Sequence, residues 1–146
     1  MEYDNEMEVS FKAAGENEAF ARTVVCAFIL GLDPCIRDMN DIKTAVSEAV
    51  TNSIIHGYFG SKSGCVRLWC GISKTTVYIE VADDGKGIEN IPLAMEPLYT
   101  GRPDMERSGL GFTIMQSFMD DVKVESAVGK GTRVFMSKQL GRAEQE

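Results

Sequence analysis

The chain has 146 residues, 44% hydrophobic and 25% charged, the make-up of one soluble globular domain large enough to bury a core. Its 22 acidic and 15 basic residues leave a net charge of −7, which argues against a general nucleic-acid binder or an anionic-membrane binder. Both need a basic footprint, whereas a few local groups suffice to hold a phosphate.

The opening MEYDNEMEVSF has neither a basic start nor an apolar run, so no signal peptide is expected and the protein is read as cytoplasmic. Met7 to Ala13 alternates as a strand does. Asn17 is read as the N-cap of a helix running to about Leu30, with Phe20, Val24 and Ala27 on one stripe. The apolar run from Val24 to Leu32 is too short to span a bilayer. Gly31-Leu32-Asp33-Pro34 ends that helix, and Asn40 or Asp41 is taken to cap a second one running to His56 and stopped by Gly57.

Val66–Ile72 and Thr76–Val81 read as strands around a turn at Ser73-Lys74. The stretch DDGKGIENIPLAMEPLYTGRPDMERSGLG then shows little periodicity. A loop of that length in a compact domain is often functional, a lid being one common form. Phe112–Met119 looks helical, and Val122–Glu125 and Thr132–Ser137 supply two more strands. The order predicts a single α+β domain over residues 1–146: a two-layer sandwich whose mixed, mostly antiparallel sheet carries helices on one face. Cys26, Cys35, Cys65 and Cys70 show no CxxC spacing and no histidine company, so they are read as reduced thiols.

In the second helix Glu48, Asn52 and His56 recur every four residues. At about 100° per residue from Ile42, the residues Ala45, Val46, Ala49, Val50 and Ser53 form the buried stripe. The polar row lies at roughly 240° to 320°, on the flank of that stripe. Such a row is costly unless the groups are paired or face a wet cleft. Alone it is more readily what a routine Glu48–Asn52 hydrogen bond produces, with His56 closing the helix end.

Three glycine clusters add weight to the cleft. Asp83-Asp84-Gly85-Lys86-Gly87 follows a strand, where a terminal carboxylate accepts from an exocyclic amine and glycines allow close approach. Ser108-Gly109-Leu110-Gly111-Phe112 opens a helix, whose free N–H groups favour a phosphate. Gly129-Lys130-Gly131-Thr132 suits a hairpin turn. Each is weak alone, and neither a Walker A sequence nor a protein-kinase glycine loop is present.

The order ExxxN, DxGxG, long loop, GxG at a helix start and GT on a strand resembles the Bergerat-type ATP-binding fold of DNA gyrase, Hsp90, histidine kinases and MutL. SEAVTNSIIHGY and LYTGRPDMERSGLGFTIMQSFMDDV further resemble the anti-sigma F factors of endospore-forming bacteria, serine kinases of that superfamily. The resemblance covers nearly the whole chain. It departs at Gly101-Arg102-Pro103, where the family commonly has Thr-Lys-Pro.

That resemblance implies a role for each motif residue. Glu48 is the general base and Asn52 the Mg²⁺ ligand; Asp83 accepts the adenine amino group with Thr132 nearby. Gly85 and Gly87 keep the approach open, and Ser108, Gly109, Leu110, Gly111 and Phe112 line the phosphates of ATP or ADP. Thr100 and Arg107, on the lid, lie near the terminal phosphate. By the same resemblance the protein forms homodimers that hold a sigma factor of the sigma F type and phosphorylate an anti-anti-sigma factor on serine, Arg22 touching both partners. A direct nucleic-acid or membrane partner is not expected. Two alternatives stay open: a detached histidine-kinase catalytic domain, whose phosphoacceptor would sit on another chain, and a non-catalytic ATP-gated sigma-binding module.

Overall fold

A computed structural model describes residues 1–58, 63–96 and 111–141. Five strands form one sheet in the order β1-β2-β3-β5-β4: β1 Asn5–Lys12, β2 Cys65–Ser73, β3 Thr76–Asp83, β4 Asp121–Ala127 and β5 Gly131–Gln139. All four pairings are antiparallel. The helices are α1 Asn17–Ile29, α2 Ile36–Asn52, the single turn α3 Ile91–Ala94, and α4 Gly111–Phe118. The α+β sandwich expected from the element order is what forms.

Period-two alternation in the strands decides which face is dry. Val66, Leu68, Cys70 and Ile72 of β2 meet Val77, Ile79 and Val81 of β3 under the helices, all buried. On α2 the helical stripe Ile42, Ala45, Val46, Ala49 and Val50 is fully buried against them, with α1 and α4 flanking it. Each Val, Leu or Ile among them contributes about 1.5–3 kcal/mol on burial. The opposite sheet face carries a small aromatic group, Tyr3 packing edge-on against Trp69 and Tyr78 at centroid distances of 4.9 and 5.5 Å.

Two helix starts and one buried stripe differ from the sequence expectation. Helix α2 starts at Ile36, ahead of Asn40 and Asp41, because the Cys35 thiol accepts the Asp38 N–H at 3.4 Å and caps it. Asn17 is the first residue of α1 rather than its cap; its side-chain amide donates to the Lys12 carbonyl at 2.9 Å. The buried stripe of α1 is Ala21, Val25 and Ile29, rotated by one or two residues from Phe20, Val24 and Ala27. Small Ala21 faces inward, while Phe20 stays 48% exposed and leans edge-on against Phe11 of β1, centroids 6.0 Å apart.

Candidate active site

The register of the sheet sets one wall of the site. Asp83 ends β3 and pairs across the ladder with Thr132 of β5. Its carboxylate is 3% exposed and accepts from the Gly85 N–H at 2.9 Å, from the Ser53 hydroxyl and from the Thr132 backbone N–H. Burial pushes this carboxyl above its ordinary range, and the three donated bonds pull it part of the way back.

The end of α2 supplies the second wall. The helix does not stop cleanly at Gly57 but widens into a π turn over Ser53–Gly57, a distortion frequent at functional sites. The Gly57 carbonyl accepts the Lys86 N–H at 2.9 Å, and a Cβ on Gly57 would stand 3.0 Å from the Asp83 carboxylate. Tyr58 finishes the turn: its hydroxyl accepts from the Asp84 N–H at 2.8 Å and donates to the Cys65 carbonyl at 2.7 Å. The Asp83–Gly87 segment is thereby bound to α2. Gly85 is required there, since a Cβ would run into the Gly57 carbonyl.

On its other side the same segment rests on the β4–β5 hairpin. Ser126 Oγ accepts the Ile88 N–H at 2.7 Å, donates to the Gly131 carbonyl at 2.9 Å, and meets Thr132 Oγ1 at 2.8 Å. Having spent its only proton on Gly131, Ser126 must accept from Thr132. Thr132, which lines the cavity, is left with lone pairs to offer a ligand.

The third wall is the start of α4. Gly111 is buried directly over α2, where an added Cβ would lie 3.0 Å from Asn52 Nδ2 and 3.3 Å from Glu48 Oε2. The row on α2 and the helix after the long loop therefore converge. Between these walls lies a cavity of about 730 Å³, within the range of small-ligand sites. Asn52, His56, Asp83, Gly87, Gly111 and Phe112 line it, with Ile88, Ile91 and Val134 among its apolar lining residues. Glu48 and Gly85 adjoin residues of this lining, Glu48 beside Gly111 and Gly85 against Gly57. Thr100, Arg107, Ser108, Gly109 and Leu110 lie outside the described residues.

Residues 11–138 match the family described as "Histidine kinase-like ATPase domain". The "Anti-sigma F factor" of Clostridium botulinum (strain Eklund 17B / Type B) is 57% identical over 138 residues, 94% of this chain and 96% of that protein. That of Thermoanaerobacter sp. (strain X514) is 57% identical over 141 residues, 97% of this chain and 98% of that protein. The chain belongs to the anti-sigma F factor family. Solved structures agree on the fold. The RsbU and RsbW domains of Rv1364c from Mycobacterium tuberculosis superpose with a TM-score of 0.68 at 16% identity, over 94% of this chain and 32% of that one. The catalytic domain of the histidine kinase ThkA gives 0.59 at 15% identity, covering the whole of both chains.

In this anti-sigma F family member Arg22 sits on α1, its Nε 2.8 Å from Glu18 Oε2 one helical turn away, and it does not line the cavity. Sequence reasoning does not single out Ser53, Ser126 or the short helix α3 as site elements. Ser53 carries a usable signal, as the one hydroxyl in an apolar helical stripe. Ser126 carries none, since its partners lie across a hairpin. Among the described residues no three or more His, Cys, Asp or Glu side chains converge as a metal site. Mg²⁺ needs no such cluster when phosphates and water complete its shell, so the Asn52 amide oxygen on the cavity lining fits a nucleotide-borne ion. Among the described residues no helix is long and apolar enough to cross a membrane.

Proposed function

We propose that this protein is an ATP- and Mg²⁺-dependent serine kinase that holds a sigma factor of the sigma F type and phosphorylates that factor's anti-anti-sigma antagonist. The observation that carries the reading is the convergence of Gly111 at the start of α4 on Glu48 and Asn52, with Asp83 on the same cavity. One end then suits phosphates and the other a base. At the base end, Asp83 as a carboxylate and Thr132 present acceptors only, so they select a base edge that donates. The 6-amino group of adenine is such a donor.

In the proposed reaction the partner's serine oxygen attacks the γ-phosphorus, the bond to the β,γ-bridging oxygen breaks, and ADP leaves. Glu48 takes the serine proton. When bound, Mg²⁺ neutralises phosphate charge, with the Asn52 amide oxygen as its protein ligand. The N–H groups opening α4 and the helix dipole face the same charge. Arg22 and a homodimer complete the proposed partner surface, and the expected setting is the cytoplasm, consistent with family membership.

Incubation with labelled ATP, Mg²⁺ and the anti-anti-sigma partner tests this: alkali-labile, acid-stable phosphoserine should form on the partner and disappear with E48Q, while nucleotide and sigma-factor binding persist. An acid-labile phosphoramidate would instead point to a histidine-kinase domain. The non-catalytic alternative is an ATP-gated sigma-binding module. ADP binding with no turnover in the wild-type protein would decide for that module.

A further inference from the structure

The apolar stripe of α2 ends in a residue that breaks it. Ile42, Ala45, Val46, Ala49 and Val50 are fully buried hydrophobic side chains, and Ser53 continues their line at 5% exposure. A buried hydroxyl must find an acceptor, and Ser53 donates to the carboxylate of Asp83. Ser53 is also the first residue of the π turn and follows Asn52 directly. Consecutive residues of one helix thus reach the two ends of the cavity: Asn52 lies under the start of α4, and Ser53 meets the end of β3.

We propose that Ser53 is a positioning residue for base recognition, holding the Asp83 carboxylate in the orientation that receives an exocyclic amine of the nucleotide base. The proposal rests on the nucleotide-binding reading above and assigns a role within that site. Gly85 N–H fixes Oδ1 at 2.9 Å, and Thr132 N–H donates from the neighbouring strand. Both are backbone groups that no side-chain change removes. The Ser53 hydroxyl is the side-chain donor of the set, so the identity of residue 53 bears directly on the orientation of the carboxylate. A side effect is mechanical: the helix bearing Glu48 and Asn52 is fastened to the base-recognition carboxylate, which ties base fit to the phosphate end.

The test uses the full chain and two probes, ADP and purine riboside 5′-diphosphate, which lacks the amino group. Calorimetry compares wild type with S53A and with the near-isosteric pair S53T and S53V, which differ in hydroxyl against methyl. S53A and S53V should weaken ADP by about 5- to 10-fold, the scale of one hydrogen bond to a charged group shared among several. They should leave the amine-free analogue within about twofold, and S53T should bind ADP as wild type does. Equal weakening of both probes, or S53V binding ADP as tightly as S53T, overturns the role of Ser53 while the nucleotide site stands. Wild type that binds neither probe overturns the nucleotide reading, and the inference with it. The isosteric pair keeps the comparison decisive if S53A does not fold.

Discussion

Gly111 and Asn52 are in contact: a Cβ built on the glycine would stand 3.0 Å from Nδ2 and 3.2 Å from Oδ1 of the asparagine. These residues are far apart in sequence, and the contact closes the end of the cavity where the proposed phosphates would sit. G111A should therefore displace the Asn52 amide by a few tenths of an ångström or tilt α4. Phosphoryl transfer depends on placement, so kcat/KM should fall about 10- to 100-fold. Thermal denaturation should change little by comparison. Steady-state kinetics beside a melting curve checks this, and an unchanged kcat/KM would remove Gly111 from the site.

Gly131 has φ of 102°, and a Cβ there would collide with the Asp83 carbonyl. G131A combines a left-handed backbone with a clash against main chain that cannot rotate away. It should destabilise the fold by roughly 1–3 kcal/mol or more, read by urea denaturation. Gly129 has φ of 79° with open space around it, so G129A should cost only about 1 kcal/mol.

Asp83 and Asp84 are neighbours with opposite pH behaviour. Burial holds the Asp83 carboxyl above its ordinary value of 3.8, so the folded state takes up this proton before the unfolded chain does. Its contribution to stability is then full below about 3.8 and is lost as pH rises through the raised value. Base binding needs the carboxylate and runs the other way: ADP affinity should fall as pH drops through that same raised value. Asp84 is held low by the Arg67 guanidinium, 2.8 Å away, so its contribution is present above 3.8 and fades as pH falls through the lowered value. The pair is exposed and worth under about 1 kcal/mol, so R67M should barely alter stability at neutral pH. ADP titrations and denaturation across acidic pH separate the two effects.

Thiol reactivity should split by depth. Cys65 is exposed, whereas Cys70 is fully buried under the helices with its thiol pushed up to about 12. Ellman's reagent should label Cys65 in native protein, and Cys70 only at the rate of unfolding. Fast labelling of Cys70 in a C65S variant would show that the β2–β3 core opens locally.

Local periodicity determined a good deal of this protein. The buried stripe from Ile42 to Val50 and the alternating strands are legible directly, because a helix repeats near 3.6 residues and a strand near two regardless of what packs on them. The ordered motifs likewise bring Asn52, Asp83 and Gly111 into one reading without any contact being visible. Tertiary structure decided the rest. Periodicity marks Phe20 as buried, but which flank of α1 turns inward depends on what packs there, and small Ala21 takes the inward position. Cys35 caps α2 though a thiol is a weak acceptor with little signature in sequence. The π turn at Ser53–Gly57 is tied to the Asp83–Gly87 segment, and Ser126 holds Thr132 through a hairpin register. These features join residues distant along the chain, and their hydrogen bonds exist only once sheet and helix layer have docked.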